Sequence, residues 1–470
     1  MPDRPDILLY VSDQHSAWMV EGKDPYVETP FLKELEHRAY VFDNAYTSCP
    51  LCVPARASLL TSRLPSRIGV FSNGDDFKSS EITFAHLCGI SGYQSSLIGR
   101  MHLVGEDQVH GFDRRVGKDI TATYWGYGAK DRKDLGSFGS GFGFKGCTEV
   151  LGTGDSPVLA YDRKVMRWTK KALENADSTK PQLMVVGTYG PHFPYVAPAH
   201  LMHKYLDKAP LVSWPQAPVH PACAMKRKAT DPRTNALAAA AYRSMVEIQD
   251  QHIRHVYDLF RSYLARHQHQ GIFLYTSDHG DMMGRRQLFG KQVFYESASH
   301  IPLYLEFIGQ EKGRHVASPV SLIDIGPTIA DLAKAPSYPV TDGKSLLPLR
   351  EKENDAREVV AEFFDQQGPC PWHGHLFVKH HRKQITYSRW PQEDEWYHPE
   401  EDPEELETVS PGEGIPKEYL EEAERLLEAF VQNKEKASLL RAYGATRASE
   451  KTRTTTSRFS FEGKGPKPLS

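Results

Sequence analysis

Four apolar runs, each long enough for one buried strand, end abruptly in side chains that titrate, bind metals or donate strongly. Ile7-Leu8-Leu9-Tyr10-Val11 ends in Ser12-Asp13-Gln14, and Gln94-Ser95-Ser96-Leu97-Ile98 ends in Gly99-Arg100-Met101-His102. Leu183-Met184-Val185-Val186 leads to Tyr189-Gly190-Pro191-His192, and Ile272-Phe273-Leu274-Tyr275 leads to Ser277-Asp278-His279-Gly280-Asp281. Helical patterns separate them, notably 161–176 and a long one from about 235 to 266. Strands alternating with helices predict an α/β fold with a large, mostly parallel central sheet flanked by helices. In such sheets ligands bind beyond the carboxyl ends of the strands. All four polar clusters therefore converge on the one edge where chemistry is expected.

Cys52-Val53-Pro54-Ala55-Arg56 opens a further helical stretch. Cysteine and arginine at i and i+4 share one helix face. Pro54 suits a first turn, where its missing N–H is no loss. A nucleophile there would stand beside backbone N–H groups and a guanidinium, a seat for a tetrahedral oxyanion ester. Cys49-Pro50-Leu51-Cys52 is also a C-x-x-C, which by itself reads as a redox pair. As a zinc half-site it lacks a second ligand pair at suitable spacing.

Asp13, Gln14, Asp278 and His279 are hard or borderline donors from two strand ends. Two carboxylates and an amide oxygen suit Ca²⁺ or Mg²⁺, and the histidine admits Mn²⁺. Such an ion would hold a substrate oxygen and acidify a nucleophile at Cys52. Taken singly, Asp-Gln after a strand is equally a helix cap, and Asp-His-Gly a tight turn.

The chain has 470 residues, which implies one large domain with an appendage. A net charge of −3 gives no global field for nucleic acid. No apolar run reaches the length of a membrane helix. The N-terminus has no signal-peptide core. Cysteines 49, 52, 88, 147, 223 and 370 are scattered and suggest no disulfide framework. A reducing cytoplasm is the expected location. Residues 126–155, rich in glycine and aromatics, read as a lid or as a surface insertion. The expected division is a catalytic domain at 1–345, a C-terminal subdomain of short antiparallel strands and a helix at 346–445, and a polar basic tail at 446–470.

From Ile7 to about Asp402 these motifs, in this order, resemble the formylglycine-dependent sulfatase family of the alkaline phosphatase superfamily. The resemblance runs through the C-x-P-x-R-A-S-L-L-T box, Pro191-His192-Phe193-Pro194-Tyr195, Lys291, Asp324-Ile325-Gly326-Pro327-Thr328, Asp342-Gly343-Lys344-Ser345-Leu346 and Glu395-Trp396-Tyr397. The stretch Gly99–Phe112 is similar to the choline sulfatase branch, and the Asp-Gln and Asp-His pairs occur there and in phosphonate monoester hydrolases. The resemblance implies an alkaline phosphatase-like fold. It implies that a maturation enzyme oxidises Cys52 to formylglycine, whose hydrate attacks sulfur. Asp13, Gln14, Asp278 and His279 would bind one divalent cation together with residue 52, Ca²⁺ first, then Mg²⁺ or Mn²⁺. Arg56 would steady the formylglycine. His102 would take a proton as sulfate is released, and His192 and Lys291 would protonate the leaving alcohol and hold sulfate oxygens. Arg100 stands where the family usually has lysine, and as a planar fork it is no neutral replacement.

The expected substrate is a small sulfate ester, with neither nucleic acid nor membrane as partner; whether copies pair into a homo-oligomer is left open. Tyr124, Trp125 and Asp365 could cage a choline group. The run Trp372-His373-Gly374-His375 to Lys379-His380-His381-Arg382-Lys383 could instead meet a sulfated, uronate-bearing sugar through His375, Lys379 and Arg382, or could be a solvated basic strand. The size of that run, and the lack of a recognisable choline sulfatase tail, favour a sulfated carbohydrate. Trp125 would then line the sugar site. A phosphonate monoester or phosphodiester is the alternative among hydrolases, and a structural or redox Cys49–Cys52 pair the non-catalytic one.

Overall fold

The computed structural model describes residues 4–120, 147–209, 217–309, 313–366, 371–390 and 392–432. Tyr124, Trp125, most of the 126–155 segment and the 446–470 tail lie outside them. Two compact units are present, Met1–Ile415 and Pro416–Ser470. The described part of the second is a helix at 417–432.

The first unit is built on an eight-stranded sheet. Its order is Arg314–Val316, Tyr40–Phe42, Leu303–Phe307, Gly271–Ser277, Asp6–Asp13, Gln182–Pro191, Gln94–Gly99 and Arg114–Val116. Only Leu303–Phe307 runs antiparallel to its neighbours. The central strand Asp6–Asp13 is buried along its whole length. Ile7, Leu9 and Val11 enter one apolar cluster, and Leu8 and Tyr10 enter the other. A strand covered on both faces needs a continuous apolar run, and that is what this sequence supplies.

The long helices start slightly before their apolar patterns. Pro157–Glu174 follows Ser156, whose side chain accepts from Leu159 N, and Pro232–His267 follows Asp231, which accepts from Arg233 N and Thr234 N. In both, proline occupies the first turn behind a polar cap. The helix Cys52–Thr61 is buried at all ten positions. Close approach of two strands also matters. A Cβ on Gly187 would lie 1.7 Å from Arg100 O, so only glycine lets the chain deliver Arg100 beside the central strands.

A second, antiparallel sheet comprises Val359–Asp365, Trp372–Lys379, Arg382–Tyr387 and Glu395–Tyr397. It is fastened to the first by polar contacts. Glu362 N donates to Ser48 O at 2.9 Å. Buried Lys383 bridges Glu296 at 2.9 Å and Glu405 at 2.7 Å. The basic run at 372–383 is therefore only partly solvated: His373, His375 and Lys383 are buried, whereas His380 is exposed and Lys379, His381 and Arg382 are half-buried. Among the described residues no helix is long and apolar enough to cross a membrane.

Candidate active site

Beyond the ends of strands Asp6–Asp13 and Gly271–Ser277, next to the first turn of Cys52–Thr61, four side chains meet. Ligand atoms of Asp13, Cys52, Asp278 and His279 all lie within 4.8 Å of one another, and all four residues are buried. Cys52 Sγ is 3.2 Å from His279 Nε2 and 3.9 Å from Asp13 Oδ1. His279 Nε2 is 3.6 Å from Asp278 Oδ1 and 4.0 Å from Asp13 Oδ1. Its other nitrogen, Nδ1, lies 3.1 Å from Gly280 O. A carbonyl only accepts, so Nδ1 carries the proton and the Nε2 lone pair faces the cluster. Burial pulls the His279 pKa down to about 4, which keeps that lone pair available at neutral pH.

Two arginines hold the carboxylates. Arg56 Nε donates to Asp278 Oδ2 at 2.8 Å, and Arg56 Nη2 to Asp13 Oδ2 at 3.3 Å. Arg100 Nε donates to Asp13 Oδ2 at 2.5 Å. Burial alone would raise the Asp13 pKa, but the charges of Arg100 and Arg56 outweigh it and hold the carboxyl well below its usual range. Cys52 goes the other way: burial, then the Asp13 charge, push its thiol pKa up. An unmodified thiol here is thus a poor nucleophile.

Gln14, with φ of 71°, turns its amide into a polar chain. Its Nε2 donates to Asp281 Oδ2 at 2.5 Å, and its Oε1 accepts from Lys291 Nζ at 2.6 Å. Asp281 also accepts from Tyr195 Oη at 2.7 Å and from Met283 N and Gly290 N. It stood in the strand-end motif, yet its role as an anchor for Gln14 and the Lys291 loop could not be read there. Asp119 carried no sequence signal. It accepts from His102 N at 3.0 Å, Arg100 Nη1 at 3.4 Å and Arg115 Nη2 at 2.9 Å.

His102 and His192 are buried, and burial lowers both pKa values well below the usual range. Arg100 adds to the effect on His102 and Lys291 to that on His192. The Arg100 guanidinium carbon lies over Tyr189, 3.7 Å from the ring centre. Cys49 and Cys52 are both free thiols.

The other nominated groups lie on the antiparallel sheet or before it, each engaged locally. Asp365 pairs with Lys226 at 2.8 Å. Lys379 pairs with Glu358 and Glu413, and Arg382 Nη1 donates to Ser410 O at 2.8 Å. His375 is buried, and burial keeps its pKa well below the usual range, so it carries no positive charge at neutral pH.

The donor set around Cys52 fits a divalent cation. Two buried carboxylate oxygens and a neutral imidazole nitrogen point inward, with cationic side chains behind them. Bound there, the ion would polarise a substrate oxygen and acidify the group at position 52. Fold and site together define an alkaline phosphatase-like hydrolase with a buried candidate metal centre.

The chain belongs to the sulfatase family. The Sulfatase family model matches residues 5–335, and the model "N-sulphoglucosamine sulphohydrolase, C-terminal" matches 284–432. A choline-sulfatase of Rhizobium meliloti (strain 1021) is 31% identical over 399 residues, covering 78% of this chain and 76% of that protein. An ulvan-active sulfatase of Formosa agariphila is 26% identical over 413 residues, covering 83% and 73%. The crystal structure of a phosphonate monoester hydrolase of Agrobacterium radiobacter superposes with a TM-score of 0.70 at 19% identity, over 91% of this chain and 96% of that one, which establishes the shared fold. This protein is a sulfuric ester hydrolase.

Proposed function

We propose that residue 52 acts as formylglycine, beside one divalent cation, to hydrolyse the sulfate ester of a small sulfated carbohydrate that bears a uronate. The observation that carries the reading is the meeting of Cys52, Asp13, Asp278 and His279 within 4.8 Å. Once position 52 presents oxygen in place of sulfur, the donor set is oxygen-rich, which favours Ca²⁺, with Mg²⁺ or Mn²⁺ as substitutes. Gln14 Oε1 can join it through its second lone pair. Arg56 and Arg100 hold the carboxylates, Lys291 neutralises sulfate oxygens, His192 serves the leaving oxygen, and His102 handles the proton when sulfate leaves.

Cys52 is 1% exposed, and its whole helix is buried. A maturation enzyme must therefore reach it before the chain folds. The five described cysteines are free and buried, in keeping with a reducing, cytoplasmic setting.

A sugar is favoured by the likeness to an ulvan-active sulfatase and by Asp365, whose carboxylate already faces Lys226 rather than an open cage. Lys379 and Arg382 remain the proposed contacts for a uronate. The Lys379 partners Glu358 and Glu413 are solvent-exposed, and ion pairs of that kind exchange readily for a competing carboxylate, while Arg382 donates to a backbone carbonyl, Ser410 O. The choline-sulfatase likeness supports choline sulfate as a second reading.

Three measurements test the proposal. Mass spectrometry of the peptide containing residue 52 should show sulfur replaced by oxygen with loss of two hydrogens. Cys52→Ala should abolish turnover, whereas Cys49→Ala keeps most of it. An unmodified, disulfide-linked Cys52 in active protein refutes the nucleophile. A panel of sulfated mono- and disaccharides, choline sulfate, an aryl sulfate and an aryl phosphonate then ranks substrates. Choline sulfate or phosphonate turned over far faster than every sugar refutes the carbohydrate reading.

A further inference from the structure

A second cluster lies on the buried face of the antiparallel sheet. Glu362 stands directly opposite His375 in the register of Val359–Asp365 with Trp372–Lys379. His373, two residues along, projects to the same face because side chains alternate in a strand. All three residues are 1% exposed. One ligand atom from each lies within 4.8 Å of the other two. His375 Nε2 is 3.8 Å from Glu362 Oε1, and the two imidazole centres are 4.9 Å apart.

Packing alone does not account for these groups. Neither ring nitrogen of His373 has a hydrogen-bond partner among the described residues. A buried imidazole loses its water at both nitrogens and recovers nothing there. Glu362, by contrast, is carefully oriented. Ser66 N donates to its Oε2 and Ser66 Oγ to its Oε1, each at 2.9 Å. That is how a ligating carboxylate is held by its outer partners.

We infer that Glu362, His373 and His375 form a second metal site, for Zn²⁺ or a cation of its class, that cross-links the paired strands Val359–Asp365 and Trp372–Lys379. Two imidazole nitrogens and one carboxylate oxygen are a zinc donor set, and a water completes the tetrahedron. Zinc–ligand bonds of about 2.0–2.2 Å require the ligand atoms to close to roughly 3.4 Å apart. Glu362 itself also touches both flanks of the catalytic helix: its N–H donates to Ser48 O before Cys52, and its carboxylate accepts from Ser66 after Thr61. The site differs in character from the first cluster, which is richer in carboxylates and built around residue 52. The rival account is an aromatic core patch, since Phe364 and Phe71 lie 5.6 and 6.4 Å from His373.

The test separates the two clusters by variant. Full-length Asp278→Ala protein, with the first cluster crippled, is stripped by a chelator, then titrated with Zn²⁺ and Co²⁺. One zinc should be retained per chain, with a rise in Tm over the stripped protein. His373→Phe in the same background suits the aromatic neighbours and should fold, with unchanged circular dichroism, but lose both the zinc and the Tm rise. In the otherwise wild-type chain, His373→Phe should lower the bound metal by one equivalent. Absence of zinc in Asp278→Ala protein, or equal zinc in His373→Phe, overturns the assignment. Neither result bears on formylglycine or on sulfate ester turnover.

Discussion

Arg100 Nη2 donates to His102 Nδ1 over 3.0 Å, and this bond decides which nitrogen of His102 carries the proton. A guanidinium has no lone pair to offer, so Nδ1 accepts and the neutral ring keeps its proton on Nε2. The same planar fork reaches Asp13 through Nε and Asp119 through Nη1. One side chain thus couples a carboxylate proposed to bind the metal to the histidine nominated for sulfate release. A lysine ammonium, compact and on a flexible stem, cannot hold all three in fixed directions.

Arg100→Lys should therefore loosen the His102 tautomer. Nitrogen NMR of labelled histidine should show protonated Nε2 and bare Nδ1 in the native chain, and a mixture in the variant. kcat should fall by roughly ten- to a hundredfold, the usual effect of losing an outer partner of a metal ligand. A native His102 protonated on Nδ1 contradicts the assignment.

Asp278 and Asp281 lie three residues apart but should fail differently. Asp278→Ala removes an inward carboxylate and leaves Arg56 Nε without its 2.8 Å partner. Its turnover should drop by orders of magnitude and not recover with added cation. Asp281→Ala leaves the inward donors in place but frees the Gln14 amide that Asp281 orients at 2.5 Å. Apparent affinity for the cation should weaken about 10–100-fold, with kcat mostly restored at saturating metal. Rescue of Asp278→Ala by excess metal would reverse the two roles.

The strand-end residues were legible because burial on both sheet faces forces a continuous apolar run, and the run's end marks the reactive edge. Asp13, Arg100, His102, His192, Asp278 and His279 all follow from that one rule. Asp119 does not. It comes after Arg114–Val116, an edge strand whose residues are exposed or half-buried and so leave no apolar signature. The 372–383 run is only partly legible, for a different reason. A list of cationic residue types says nothing about burial, and Lys383 is neutralised by Glu296 and Glu405 from distant parts of the chain. Such long-range pairing has no local pattern. The alternation of His373 and His375 around Gly374 does predict a shared face, but not what covers it.

His192 should reveal itself through leaving groups and pH. Its Nδ1 lies 2.6 Å from Phe193 O, so Nδ1 carries a proton and Nε2 is the nitrogen available for exchange. Burial, then Lys291, favour the neutral ring before substrate binds. A bound sulfate ester offsets the Lys291 charge and should raise the pKa again. With His192 as the proposed acid, kcat for poor leaving groups should fall as pH rises, at a higher pH than the matching limb of kcat/KM. His192→Ala should abolish that limb and cost about 10²–10⁴-fold on alkyl sulfates, with little loss on activated aryl sulfates. Equal losses on both classes would exclude His192 as the acid.

Asp250 gives a stability test remote from the chemistry. It lies on the helix Pro232–His267 and accepts from Phe31 N at 2.9 Å and Leu32 N at 2.8 Å, at the start of the helix Pro30–Glu36. Burial outweighs those bonds and lifts its pKa to about 6. The unfolded carboxyl titrates near the usual value of about 3.9. Between the two, the unfolded chain has released its proton while the folded chain keeps it. The folded state then binds more protons, so stability falls as pH rises from about 4 to about 6, and levels off above. A shift of about two units limits the effect to roughly 3 kcal/mol. Asp250→Asn still offers one acceptor but has nothing to titrate. Its unfolding free energy, from urea curves across this range, should lack that part of the slope. The native chain should lose stability relative to the variant between pH 4 and 6 and run parallel to it above 7. Parallel curves throughout would mean that Asp250 stays ionised in the fold, held by its two backbone N–H donors.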